Sequence, residues 1–171
     1  MYQVDSLDRV VEITDFPQSS GGAPLPSVIS TEHQTFLIFH LEEDIPGWDG
    51  TWVRRVGSET EGTLAILAFN GCYASMFGPP NDEAFAGHPL ADRGLHPYGA
   101  FQIEDSSWLR RLETMNSAHP NHSPARFREL THFVFTFHDS NFECIAAGYT
   151  VETTRSSISN ALLRIAAKIG R

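Results

Sequence analysis

Apolar and polar positions along this chain fall into short strand-length runs separated by turn-forming residues, with two stretches of helical period. Residues 9–14 read as a first strand, and 15–26 as a loop rich in Pro, Gly and Ser. The run 35–42 is nearly continuous in apolar residues, so it predicts a strand buried on both faces. Residues 44–50 predict a turn and 51–56 an edge strand. Residues 63–70 form a core strand, Gly71 bends the chain, and 72–77 continue it. After a long connection, 100–104 read as a short strand. Asp105 or Ser106 then caps a helix over about 106–118, with Trp108, Leu112 and Met115 on its apolar face and His119-Pro120 ending it. Ser123-Pro124 opens a short turn to Arg128. Phe133, Phe135 and Phe137 recur at period two in the strand 131–138, a turn follows at 139–141, and 142–149 return as a hairpin. Finally, Ile158, Leu162, Ile165 and Ile169 stripe a helix over about 156–169, which Gly170 can close. Many strands with short connections and two segregated helices predict one α+β domain over 1–171. Its sheet is curved and mainly antiparallel, with closure toward a barrel left open.

Composition narrows what such a domain can do. The chain has 171 residues, 41% hydrophobic and 19% charged, with a formal net charge of −9. Phosphate-binding surfaces need clustered cations, and the arginines here are scattered, so no nucleic-acid partner is expected. An anionic membrane surface is disfavoured on the same ground. No apolar run approaches the roughly 20 residues of a membrane helix. Residues 1–9 lack the basic-then-apolar pattern of a secretory signal, so a cytoplasmic location is expected. The two cysteines, Cys72 and Cys144, sit in apolar strand-like surroundings outside any C-x-x-C pair, and read as reduced, buried residues.

The connection 78–99 is where chemistry concentrates. It holds four glycines, four prolines, two histidines, three carboxylates and one arginine. A structureless connection of this length in a compact domain is usually functional or disordered, and Phe85, Leu90, Leu95 and Tyr98 can pin this one to a core. His88 and His96 both precede proline, which forces extended backbone and holds the ring on a stiff support. With Glu83 they form the candidate catalytic set, His88 or His96 as base or metal ligand and Glu83 as carboxylate partner. Asn81 and Asp82 equally suit a simple turn. His132, Thr136 and His138 share one face of the 131–138 strand, opposite the phenylalanines, and would floor a pocket if the loop folds over them. The candidate ligand-binding set is therefore Asn81, Asp82, Arg93, Tyr98, Trp108, His132, Thr136 and His138, with Arg93 as an anion clamp. Histidine with carboxylate suits zinc, iron or manganese, but no recognised ligand spacing is present, so metal and cofactor identity stay open. No G-x-S-x-G elbow, phosphate loop or G-x-G-x-x-G occurs, and the serines read as loop or cap residues without an evident partner.

The segments Phe77-Gly-Pro-Pro-Asn-Asp-Glu-Ala, Gly87-His-Pro-Leu, Gly94-Leu-His-Pro-Tyr-Gly-Ala-Phe, Ser106-Ser-Trp and His132-Phe-Val-Phe-Thr-Phe-His-Asp-Ser-Asn-Phe-Glu-Cys together resemble a set of uncharacterised bacterial proteins over about 64–147. The resemblance implies a bacterial, stand-alone domain and carries over no catalytic residue. The expected function is small-molecule binding, with enzymatic His/carboxylate chemistry under the 78–99 loop. The alternative is an acidic, non-catalytic interaction or immunity-type protein that attracts a basic partner. A third reading makes the loop purely architectural.

Overall fold

The computed structural model describes residues 2–44, 47, 49, 51 and 55–169. Among the described residues, nine strands form two antiparallel sheets: β1 (Arg9–Glu12), β2 (Ser27–Ser30), β3 (Thr35–His40), β4 (Gly62–Asn70), β5 (Ala74–Gly78), β6 (Ala100–Glu104), β7 (Thr131–Thr136), β8 (Asn141–Ala146) and β9 (Gly148–Ser156). The helices are α1 (Ser107–Asn116), α2 (Pro124–Arg128) and α3 (Ile158–Ile169). One sheet has the order β1-β6-β7-β8-β5 and the other β2-β3-β4-β9. The expectation of an α+β domain with antiparallel pairing holds. The strands divide between two facing sheets and do not close into a barrel.

Period two explains the packing. On β7 and β8, Phe133, Phe135, Phe142 and Cys144 face inward and meet Leu37, Phe39, Leu67 and Phe69 of the other sheet in one core. The doubly apolar β3 and β4 send Ile38, Leu64 and Ile66 outward, where Ile158, Ala161 and Ile165 of α3 cover them. The outer face of the five-stranded sheet carries Val134 and Ile145. It is covered by Tyr2, by Trp108 of α1, and by Phe85, Leu90 and Leu95 of the 78–99 connection. That connection is ordered by two 3-10 turns, Phe85–Gly87 and Ala91–Arg93. It lies over the sheet as a packed layer, as its apolar residues predict.

Several element expectations change. Residues 72–77 do not simply extend β4: Gly71, at φ 58°, turns the chain, and β5 joins the opposite sheet by pairing with β8. The returning hairpin strand stops at Ala146, and β9, which the sequence reading passed over, crosses to pair with β4. β2 was likewise unforeseen, and α3 begins at Ile158, two residues later than expected. Of the two expected caps, Asp105 and Ser106, it is Ser106 that caps α1, its side chain accepting the Leu109 N–H. Met115, however, is 68% exposed, and Leu109 takes its place beside Trp108 and Leu112. Of the edge strand expected over 51–56, residues 52–54 lie outside the described residues and 51, 55 and 56 are not in a strand; the helix end expected at Gly170 also lies outside them.

Candidate functional site

The polar centre of the molecule is a carboxylate buried beneath the 78–99 layer. Val134 and Glu143 are paired across β7 and β8 on the outer face of the sheet, and His132 lies two residues away on that same face. Three donors converge on Glu143. Tyr2 Oη donates to Oε2 at 2.6 Å. His132 Nε2 lies 3.1 Å from Oε2, and His88 Nε2 lies 3.3 Å from Oε1. The backbone fixes the His88 tautomer: its Nδ1 accepts the Leu90 N–H at 3.2 Å, so Nε2 carries the proton toward Glu143. Pro89 sets the rest, because His88 sits at φ −69°, ψ 136°, the extended conformation a pre-proline residue prefers. Phe85 stacks on the His88 ring at 5.5 Å. Tyr2 and Trp108 stack on each other and meet the His132 ring edge-on, at 5.2 and 5.1 Å.

Electrostatics follow from this geometry. Burial pushes the Glu143 carboxyl up, but the hydrogen bonds from His132, His88 and Tyr2 outweigh it and hold the pKa down at about 2. The Tyr2 phenol is driven far upward by burial and by the facing carboxylate. Glu143 is thus a fixed anion with its lone pairs occupied by the three donors. Among the described residues no three His, Cys, Asp or Glu side chains are placed to hold a metal ion.

The polar chain extends beyond Glu143. His132 Nδ1 is 2.9 Å from Ser106 Oγ, the helix cap, which also accepts the Leu109 N–H at 3.2 Å. With Nε2–H committed to Glu143, the Ser106 hydroxyl donates to Nδ1. Ser106 stands at the junction of β6 and α1, next to Asp105 at φ 51°, a left-handed conformation costly for a residue other than glycine. Its side of the junction borders a groove of about 610 Å³ between β6, β7, α1 and α2. Leu109, Phe127 and Leu130 give that groove apolar walls; Glu104, Asp105, Glu113, Arg110 and Arg128 give it charge. Arg110 is held by both carboxylate oxygens of Asp5, at 2.8 and 2.7 Å.

The residues expected to form one site separate into groups. His88 and His132 meet through Glu143, with Trp108 beside them. Asp82, Tyr98 and His138 form a second cluster: Tyr98 Oη donates to Asp82 Oδ2 at 2.6 Å, and Asp82 Oδ1 lies 3.6 Å from His138 Nδ1. The Tyr98 hydrogen bond lowers the Asp82 pKa, while burial and Asp82 push Tyr98 up to about 12. Tyr98 and Thr136 line a cavity of about 70 Å³, room for a water or two. Thr136 accepts the Gly99 N–H and donates to the His96 carbonyl, both at 2.8 Å, clamping the end of the connection. Asn81 Oδ1 accepts the Ala84 N–H, the turn role weighed for it. Arg93 donates to the Asp8 carbonyl at 2.9 Å and ties the connection to the N-terminal segment. Glu83 is exposed, and the half-exposed His96 lies 3.7 Å from Glu12, so neither converges on His88. Phe85, Leu90 and Leu95 fill the space between the connection and β7, where a pocket was expected.

Sequence reasoning passed over Tyr2 and Ser106 as site residues and left Glu143 unassigned. One signal was available: Glu143 is a lone charge inside the apolar run Phe142-Glu-Cys-Ile-Ala, and such a charge needs a partner when buried. No known protein family, curated protein or solved structure matches this chain. Among the described residues no helix is long and apolar enough to cross a membrane.

Proposed function

We propose that this chain binds a small molecule in the groove between β6, β7, α1 and α2, and that Ser106, His132 and Glu143 supply its chemistry. The supporting observation is the continuous chain from Ser106 Oγ through both nitrogens of His132 to the buried Glu143 carboxylate, starting at the groove wall. Groove volume falls within the range of small-molecule sites. A serine hydroxyl becomes nucleophilic when a neighbouring imidazole takes its proton and a carboxylate stabilises the resulting cation. Here Nδ1 is the receiving nitrogen and Glu143 sits on Nε2. The reading is acyl transfer to Ser106 from an ester or amide. Arg128, which makes no ion pair among the described residues, would hold an anionic group of the substrate.

The ordinary duty of Ser106 is capping α1, and the test separates the two. Asn also caps helices well, so Ser106→Asn keeps the helix start and removes the nucleophile. Hydrolysis of a panel of p-nitrophenyl esters should be measurable for the wild type, absent in Ser106→Asn, and reduced by Leu109→Trp, which fills the groove. Equal rates in wild type and Ser106→Asn would overturn the proposal. The net charge of −9 supports a second reading, an acidic surface that recruits a basic protein. A low-salt pull-down that recovers no stoichiometric partner would count against it.

A further inference from the structure

Residues 2–8 form a strap whose side chains fasten to the groups on which the proposed chemistry depends. Tyr2 Oη donates to Glu143, and its ring stacks on Trp108. Asp5 holds Arg110, on the groove wall, with both carboxylate oxygens. Asp8, only 4% exposed, accepts the Ser107 N–H through Oδ1 at 2.7 Å and the Asp5 N–H through Oδ2 at 2.8 Å. The Asp8 carbonyl accepts from Arg93 at 2.9 Å, which braces the strap against the 78–99 connection. The chain then enters β1, where Arg9 is registered with Glu104 of β6, and this pairing keeps Asp8 beside the β6–α1 junction.

The Ser107 N–H matters because of where it stands. When a serine attacks an acyl carbon, the Oγ–C bond forms, the Oγ proton passes to the imidazole, and the carbonyl π pair moves onto oxygen. That oxyanion needs preorganised N–H donors, and the residue after the nucleophile is a standard source of one. For Ser106 this residue is Ser107, whose N–H is already spent on Asp8. A carboxylate at that point also repels a second negative charge. We propose that the strap is autoinhibitory: Asp8 stands where the substrate oxyanion would bind, and acyl transfer at Ser106 proceeds only while Asp8 is off Ser107. The inference rests on the reading of Ser106, His132 and Glu143 given above. It also names a route to activation. An anionic group of a substrate in the groove competes with Asp5 for Arg110, and the Asp5 N–H is one of the two donors that hold the Asp8 carboxylate. Displacing Asp5 therefore loosens Asp8.

The test follows the rate at which a fluorophosphonate labels Ser106 in the full chain, by intact mass and peptide mapping. One oxyanion donor is worth about 10²-fold in rate, so Asp8→Ala should label at least about tenfold faster than the wild type. Asp8→Asn keeps an oxygen for the Ser107 N–H and should stay nearer to the wild type than to Asp8→Ala. Asp5→Ala imitates displacement at Arg110 and should give an intermediate gain. It alters only an exposed ion pair, so it decides the matter if Asp8→Ala fails to fold. The gain must vanish in Asp8→Ala/His132→Gln; labelling that persists there comes from unfolding and overturns the inference. Ser106 labelled at one rate in wild type, Asp8→Ala and Asp5→Ala overturns the autoinhibitory strap and leaves the reading of Ser106 intact. Ser106 unlabelled in all of them overturns both.

Discussion

Replacing Glu143 with Gln tests whether one buried carboxylate holds the outer layer to the sheet. The carboxylate accepts from Tyr2, His132 and His88. An amide offers one oxygen. Placed on the Oε2 side, it can still serve Tyr2 and His132, but the new NH₂ then faces His88 Nε2–H. His88 could relieve the clash by moving its proton to Nδ1, which would break the bond from Leu90 N–H. One buried donor is left unsatisfied either way, at about 1–3 kcal/mol, and the remaining bonds lose their charge assistance. The total is about 3 kcal/mol, or roughly 6–12 °C in Tm for a chain of this size. The same substitution should flatten the acid limb of stability. Because the folded pKa of Glu143 is about 2 against an ordinary 4.5, the folded state binds fewer protons between those values. The carboxylate's stabilisation is therefore complete above about pH 4.5 and is lost as pH falls toward 2, a difference of about 3 kcal/mol. Urea titrations of wild type and Glu143→Gln from pH 2 to 7 measure both effects. Stabilities within about 1 kcal/mol at pH 7, with parallel acid limbs, would refute the reasoning.

Other substitutions probe the layer and its anchors. Leu90→Ala removes a fully buried side chain between the connection and the sheet. It should cost about 2–5 kcal/mol by urea denaturation and speed hydrogen exchange across 85–95. Thr136→Val leaves the Gly99 N–H without its side-chain acceptor and should cost about 1–3 kcal/mol by the same assay. Gly99→Ala would place a Cβ 2.6 Å from the Phe101 ring, a fully packed neighbour, and should lower stability by about 1–3 kcal/mol in thermal melts. Gly94→Ala meets open space but must hold φ 97°, so its cost should stay near about 1 kcal/mol, with ester hydrolysis unchanged.

Local patterns carried much of the fold. The unbroken apolar run of β3 announced a strand covered on both faces, and the alternating phenylalanines of β7 announced their common core. A cap at Asp105 or Ser106 was legible because residue type and position before Trp108 and Leu109 suffice for that role, and the structure selects Ser106. Partition of strands between sheets was not legible. Gly71 marked a bend, but a bend does not say whether β5 rejoins the sheet it left. β9 escaped notice because its exposed Thr150, Glu152 and Thr153 break the apolar alternation by which strands were read. At the site, stiffness at His88-Pro89 was correctly read from proline, yet its partner Glu143 is 55 residues away and its neighbour Tyr2 farther still. Sequence spacing holds no trace of such pairings. Ser106 and His132 are likewise joined only because α1 starts beside β7, so the absence of a G-x-S-x-G elbow said little about this serine.

Covalent trapping tests the proposed chemistry most directly. A fluorophosphonate reacts with a serine only where a base activates it and the site admits the reagent. Incubated with the wild-type chain, it should add one adduct by intact mass, mapped by peptide sequencing to Ser106. Ser106→Asn and His132→Gln should remain unlabelled while melting cooperatively. A wild-type protein that stays unmodified at millimolar reagent, or labels equally in His132→Gln, would contradict the account.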